Sequence, residues 1–192
     1  MSKKVCEFKD NSQTKHLLWT FDYFDYFINH QNKTNPFNLK ICIDTLIDMI
    51  EPLLGNNFIT VYNNCQEIYL KEYESEITVA LLNILNNSLY ELTKNKTHRN
   101  RYIFINAYTK NGFVTIEIKD SRENINTHTI LKQFTSTLEL KNNPDTRLFF
   151  SHKIIQETIK GELYVEKSTQ VIKDETLDCV NFIIKIKECP DE

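Results

Sequence analysis

Glycine is scarce in this chain. Only Gly55, Gly112 and Gly161 occur in 192 residues, where average usage near 7% gives about 13. A Walker A loop or a dinucleotide fingerprint requires glycines at fixed short spacing, and these three assemble neither. The five cysteines, at positions 6, 42, 65, 179 and 189, are odd in number and contain no Cys-x-x-Cys pair. That pattern points away from a zinc ribbon and from a disulfide framework, and towards reduced thiols in a cytoplasmic protein. No run reaches the eighteen or so apolar residues of a membrane span, and the start Met-Ser-Lys-Lys-Val-Cys is not an apolar signal segment. The expectation is a soluble chain with no membrane segment of its own, whether or not a longer parent is membrane-bound. A formal net charge of -3 supplies no basic stripe to displace counterions from phosphates, so nucleic acid is not an expected partner.

What is present is enough apolar material, 41% of residues, for one main core and an appendage. Leu17, Phe21, Phe24 and Ile28 recur at helical spacing, with Trp19, Tyr23 and Tyr26 on another side. This predicts an N-terminal helix that wants contacts on two faces, against its own domain or against another chain. Asn35-Pro36 breaks it, because the residue before proline is pushed from helical angles. A helix is then expected over 39–53, with Gly55 after its end, followed by strands at 58–62 and 67–70. Strands at 102–107 and 113–118 flank Asn111-Gly112, a strong hairpin signal. A helix over 147–159 leads through Gly161 to strands at 163–166 and 180–186. Helices followed by mixed strands predict an α+β fold, a two-layer sandwich with one sheet face covered by helices. The expected division is 1–35 for the N-terminal helix and 36–192 for the sandwich.

The stretch 81–92 stands at the centre of this order. On a helix, Ile77, Leu81, Ile84, Leu85, Ser88 and Leu92 share one face, the ordinary core stripe. Asn83, Asn87, Tyr90 and Lys94 form a polar stripe on its flank, where carboxamides need partners. Hydrogen bonding to neighbouring backbone or to water is the plain reading. The pattern also resembles the asparagine box of the ATP-binding domain of sensor histidine kinases, which share their nucleotide fold with gyrase, Hsp90 and MutL. Asn83 and Asn87 match its two asparagines and Ser88 its small residue. By that resemblance Asn87 is the ligand for a magnesium ion bridging ATP phosphates, with Asn83 beside it and Lys94 as a looser match. Mg²⁺ takes few protein oxygens and the rest from phosphate and water.

Further landmarks follow in the family's order. Asp120-Ser121-Arg122-Glu123-Asn124-Ile125 is similar to Asp-x-Gly-x-Gly-Ile, in which the aspartate accepts a hydrogen bond from the adenine amino group. Arg122 and Asn124 stand in place of the glycines, and Arg122 adds bulk where the family keeps the pocket open. An aspartate at a strand end is also a common turn-maker or cap. Phe134-Thr135-Ser136-Thr137 resembles the phenylalanine box. Counting back from Gly161, Asn143, Asp145 and Arg147 replace the three glycines of the family's lid, so its amide nest is lost while Arg147 offers a cationic contact. The stretch Thr20 to Phe27 resembles the second helix of the dimerisation and phosphotransfer hairpin. His16 and His30 lack the surroundings of a phosphoacceptor, and His98, His128 and His152 have no partners at metal or catalytic spacing.

The resemblance implies a histidine-kinase-like module of two-component signalling that binds Mg·ATP for phosphotransfer to a partner histidine. Its eroded glycine boxes imply impairment. The alternative is a pseudokinase-like domain that binds no nucleotide and dimerises or modulates a true kinase. Implied partners are a second copy through the N-terminal helix, a sensor kinase or a response regulator.

Overall fold

A computed structural model describes residues 35–72, 74–94, 101–123, 125–135 and 147–188. These belong to one compact unit, residues 34–192. The N-terminal helix with His16 and His30, His98, Asn124 and the lid positions Asn143 and Asp145 lie outside the described residues.

The chain enters on β1 (Asn35–Asn38), which pairs antiparallel with β3 (Tyr69–Glu72). The expected break at Asn35-Pro36 is therefore a short strand, an edge position where proline's missing N–H is tolerated. α1 (Leu39–Asn56) follows, its first turn capped by the Asn38 side chain, which accepts from the Ile41 amide at 3.2 Å.

α1 runs past its expected end and closes on Phe58 instead of Gly55. Phe58 is left-handed, with φ of 53°. Its amide donates to Gly55 O, and the Ile59 amide reaches Leu54 O at 3.0 Å. This is the paired hydrogen bonding of a Schellman cap, with buried Leu54 and Ile59 supplying its apolar contact. The strand expected from Phe58 starts two residues later for that reason, as β2 (Thr60–Cys65).

The asparagine-bearing segment forms α2 (Glu74–Lys94), and all six predicted core positions are buried, from Ile77 to Leu92. Val79, Ala80, Leu82 and Leu89 are buried too, so α2 is enclosed on most of its circumference. β4 (Tyr102–Lys110) and β5 (Phe113–Asp120) form the expected hairpin, turning on Asn111 and Gly112 with φ of 54° and 76°. α3 (Thr127–Thr135) is a short helix that the sequence reading left out.

The expected 147–159 helix is α4 (Arg147–Lys153), continued by a π turn over Ile154–Thr158. β6 (Glu162–Ile172) and β7 (Glu175–Lys187) close the chain. Both run longer than expected, because they meet in a tight turn at Lys173 and Asp174, with φ of 46° and 67°.

Five strands make one sheet in the order β2-β4-β5-β7-β6; only β2 and β4 are parallel. Its inner face is a dry layer of Ile103, Ile105, Val114, Ile116, Ile118, Phe182, Ile184 and Ile186. The fully buried Ser151 ties α4 to α2, donating to Ala80 O at 3.1 Å. The two-layer α+β sandwich is thus as expected.

Gly161 is required by close approach: a Cβ there lies 2.6 Å from Lys185 O, a backbone atom of the neighbouring strand. Gly161→Ala is expected to lower unfolding free energy by about 1–3 kcal/mol, the usual range for overpacking. Denaturant titration measures it, and an unchanged midpoint would count against this account of the contact.

Candidate functional site

Asp120 ends β5, and the strand's register carries its side chain to the inner face, towards α2. Ser88 and Asn87 sit opposite on α2, 0% and 1% exposed. The Ser88 hydroxyl donates to Asp120 Oδ2 at 2.7 Å, so the small position of the asparagine motif fixes the carboxylate.

The remaining partner is Arg122. It lies two residues beyond Asp120, past the end of β5, where its own amide turns back to Asp120 Oδ1 at 3.3 Å. Its Nε donates to Asp120 Oδ1 and its Nη2 to Oδ2, both at 2.6 Å, a bidentate fork. The same Nη2 donates to Asn87 Oδ1 at 2.9 Å. The guanidinium carbon stands 5.5 Å from the ring centroid of Phe182, a fully buried side chain of β7. Arg122 itself is only 7% exposed. One planar cation therefore bridges Asn87 and Asp120 while lying against an aromatic face.

The hydrogen-bond capacity of Asp120 is used up. A carboxylate offers about four lone-pair positions. The Ser88 hydroxyl, two Arg122 side-chain donors and the Arg122 backbone N–H, at 3.3 Å from Oδ1, take four. With charge paired and hydrogen bonds made, the buried ions meet the conditions under which such a pair is tolerated.

The other candidate residues lie apart from this network. Asn83 is half-buried on α2, one turn before Asn87. Arg147 and Lys94 converge instead on Tyr90, at 5.6 and 5.8 Å from its ring centroid. Arg147 also donates to Asn86 O at 3.4 Å, and Lys94 lies 3.8 Å from Glu91. Phe134, from the phenylalanine motif, is buried and stacks on His152 at 5.2 Å and 9°. Burial and the adjacent Lys153 charge hold the His152 imidazole below its ordinary pKa. Among the described residues no group of three or more His, Cys, Asp or Glu side chains is placed to hold a metal ion, and no helix is long and apolar enough to cross a membrane.

Read from the sequence, Asn87 and Asp120 have separate roles by resemblance, magnesium and adenine, and Arg122 only bulk. The signal was available: an aspartate at a strand end commonly bonds the backbone two residues on, which brings the residue at 122 within reach of its carboxylate.

No family model matches the chain, and no curated protein matches it. Solved structures do resemble it. A nucleotide-free catalytic domain of histidine kinase ThkA superposes with a TM-score of 0.64 at 18% identity, covering 80% of this chain and 95% of that one. Histidine kinase AdeS of Acinetobacter baumannii gives 0.57 at 16%, covering 90% and 77%. ThkA in complex with response regulator protein TrrA gives 0.62 at 17%, covering 99% of this chain and 53% of that one. In its five-stranded mixed sheet and covering helices, the chain has the fold of histidine kinase catalytic domains.

Proposed function

We propose that this chain is a two-component signalling module that acts through protein contacts, with its nucleotide pocket filled by its own Arg122. One observation carries the reading: Asn87 and Asp120, the residues that by resemblance serve magnesium and adenine, are both hydrogen-bonded to a single buried guanidinium. ATP with magnesium is the group the fold implies, and the residues present fit it poorly. Asp120 has no acceptor position left for an adenine amino group. The Asn87 oxygen already faces a cation where a second would have to sit. The site segment carries Arg122 where the family has a glycine, so the backbone is not laid bare to a base. No phosphotransfer step is assigned to this chain.

The partners that suit the reading are a sensor kinase, a response regulator or a second copy of the chain. Likeness to ThkA, one structure of which is a complex with a response regulator, supports that class. Unfolding of the purified protein with and without millimolar ATP and magnesium tests the proposal. The expected result is an unmoved midpoint. A site filled at a hundred times its dissociation constant stabilises by about 2.7 kcal/mol, or about 5–11 °C at this chain length. A magnesium-dependent rise of that order would overturn the proposal in favour of a nucleotide-binding module built on Asn83, Asn87 and Asp120.

A further inference from the structure

Arg122 is held by a carboxylate, a carboxamide and an aromatic ring. One edge of its guanidinium meets the Asp120 carboxylate through two 2.6 Å hydrogen bonds, and the carboxylate is held in place by Ser88. Nη2, one of the two nitrogens of that fork, also reaches Asn87 Oδ1 at 2.9 Å. The guanidinium carbon stands over the Phe182 ring, 5.5 Å from its centroid. A planar cation with adjacent N–H donors satisfies all three surfaces at once. A compact ammonium does not, because it has neither the fork nor the flat face.

The surfaces belong to separate parts of the chain. Ser88 and Asn87 are on α2, Asp120 ends β5 and Phe182 is on β7. Their positions follow from sheet register and helix packing: Asp120 pairs with Val180, and Phe182 with Ile118. The backbone positions of the walls are therefore set by pairing and packing that do not involve the side chain at 122.

We infer that the space between α2 and the inner face of β5 and β7 is a binding site for amidinium or guanidinium groups, and that Arg122 is its resident ligand in cis. The inference rests on the proposed reading that this pocket is self-filled. It adds the chemical class the pocket selects and the group that must leave before anything else enters. Removing the Arg122 side chain beyond Cβ vacates the site without dismantling its walls, so a small planar cation from solution takes its place.

The test is cation-dependent unfolding of Arg122→Ala. Methylguanidinium chloride at millimolar concentrations is expected to raise its unfolding midpoint saturably. Methylammonium chloride, with the same charge and ionic strength, is expected not to. Wild type, its site already filled, is expected to ignore both salts, and so is Asp120→Asn/Arg122→Ala, which lacks the carboxylate. Absence of a rise in Arg122→Ala, an equal rise with methylammonium, or an equal rise in wild type overturns the inference. Should Arg122→Ala fail to fold, recovery of folded protein on dilution from denaturant becomes the readout. Recovery dependent on methylguanidinium supports the site, and recovery indifferent to it overturns the site. The two proposals fail separately. Stabilisation of wild type by Mg·ATP defeats the proposed function, whereas a variant blind to methylguanidinium, with wild type still blind to Mg·ATP, defeats only the amidinium site.

Discussion

Replacing Arg122 by alanine is expected to cost about 3–5 kcal/mol, the range for breaking a buried ion pair by removing one partner. For a chain of this size that lowers the unfolding midpoint by about 6–20 °C. The cost arises on the carboxylate side. Asp120 is fully buried and loses two of its four donors together with the cation paired with it, leaving Ser88 and one backbone amide. The pair itself need not be strongly stabilising, since desolvation offsets most of the attraction between buried charges. Asp120→Asn/Arg122→Met, which removes both charges and keeps much of the arginine stem's volume, is therefore expected to recover most of the loss. Denaturant titration of the three proteins decides the matter. A loss under about 1 kcal/mol for Arg122→Ala, as an exposed pair gives, would sink the argument.

Phe182→Ala carries a comparable expected loss, about 3–5 kcal/mol, for a different reason. Phe182 is fully buried on the inner face of β7 between Ile118 and Val165 in register, so its removal leaves a cavity at the centre of the sheet. It also withdraws the aromatic face from the guanidinium. Phe182→Leu separates the contributions, because leucine restores most of the volume but no ring. A double-mutant cycle of Phe182→Leu with Arg122→Met is expected to show coupling of about 0.5–2 kcal/mol, the range of a desolvated cation–π contact. Additivity within about 0.3 kcal/mol would mean that ring and cation do not interact.

Much of the fold was legible where a local signal and the tertiary context agree. The 3.6-residue stripe of α2 and the Asn111-Gly112 turn are such places, since each encodes its geometry in a few neighbouring residues. The misses have physical causes. Phe58 reads as the start of a strand by β-propensity, yet α1 uses it as a left-handed cap where glycine is usual. Lys173 and Asp174 form the β6–β7 turn without the Asn-Gly signature, so the hairpin's length was hidden. α3, only nine residues long and largely polar, offers little periodicity.

At the site, Asn87, Ser88 and Asp120 were visible as positions in a motif, and the structure brings them into one network. Arg122 was noticed only for its size. What it binds depends on how the chain past β5 brings its side chain to Asn87 on α2, a tertiary fact. The convergence of Arg147 and Lys94 on Tyr90 was equally hidden. Tyr90 had been noted only as a member of the polar stripe.

Saturation of Asp120 also constrains how this pocket changes by mutation. Any single substitution that removes the charge at 122 strands a buried anion, and any that neutralises Asp120 strands a buried cation. Each first step towards an open pocket therefore passes through a chain of reduced stability, and the two positions are free to change only as a pair. A site closed in this way behaves as a ratchet: one replacement at 122 vacates it only at a cost in stability, and two coordinated replacements avoid that cost.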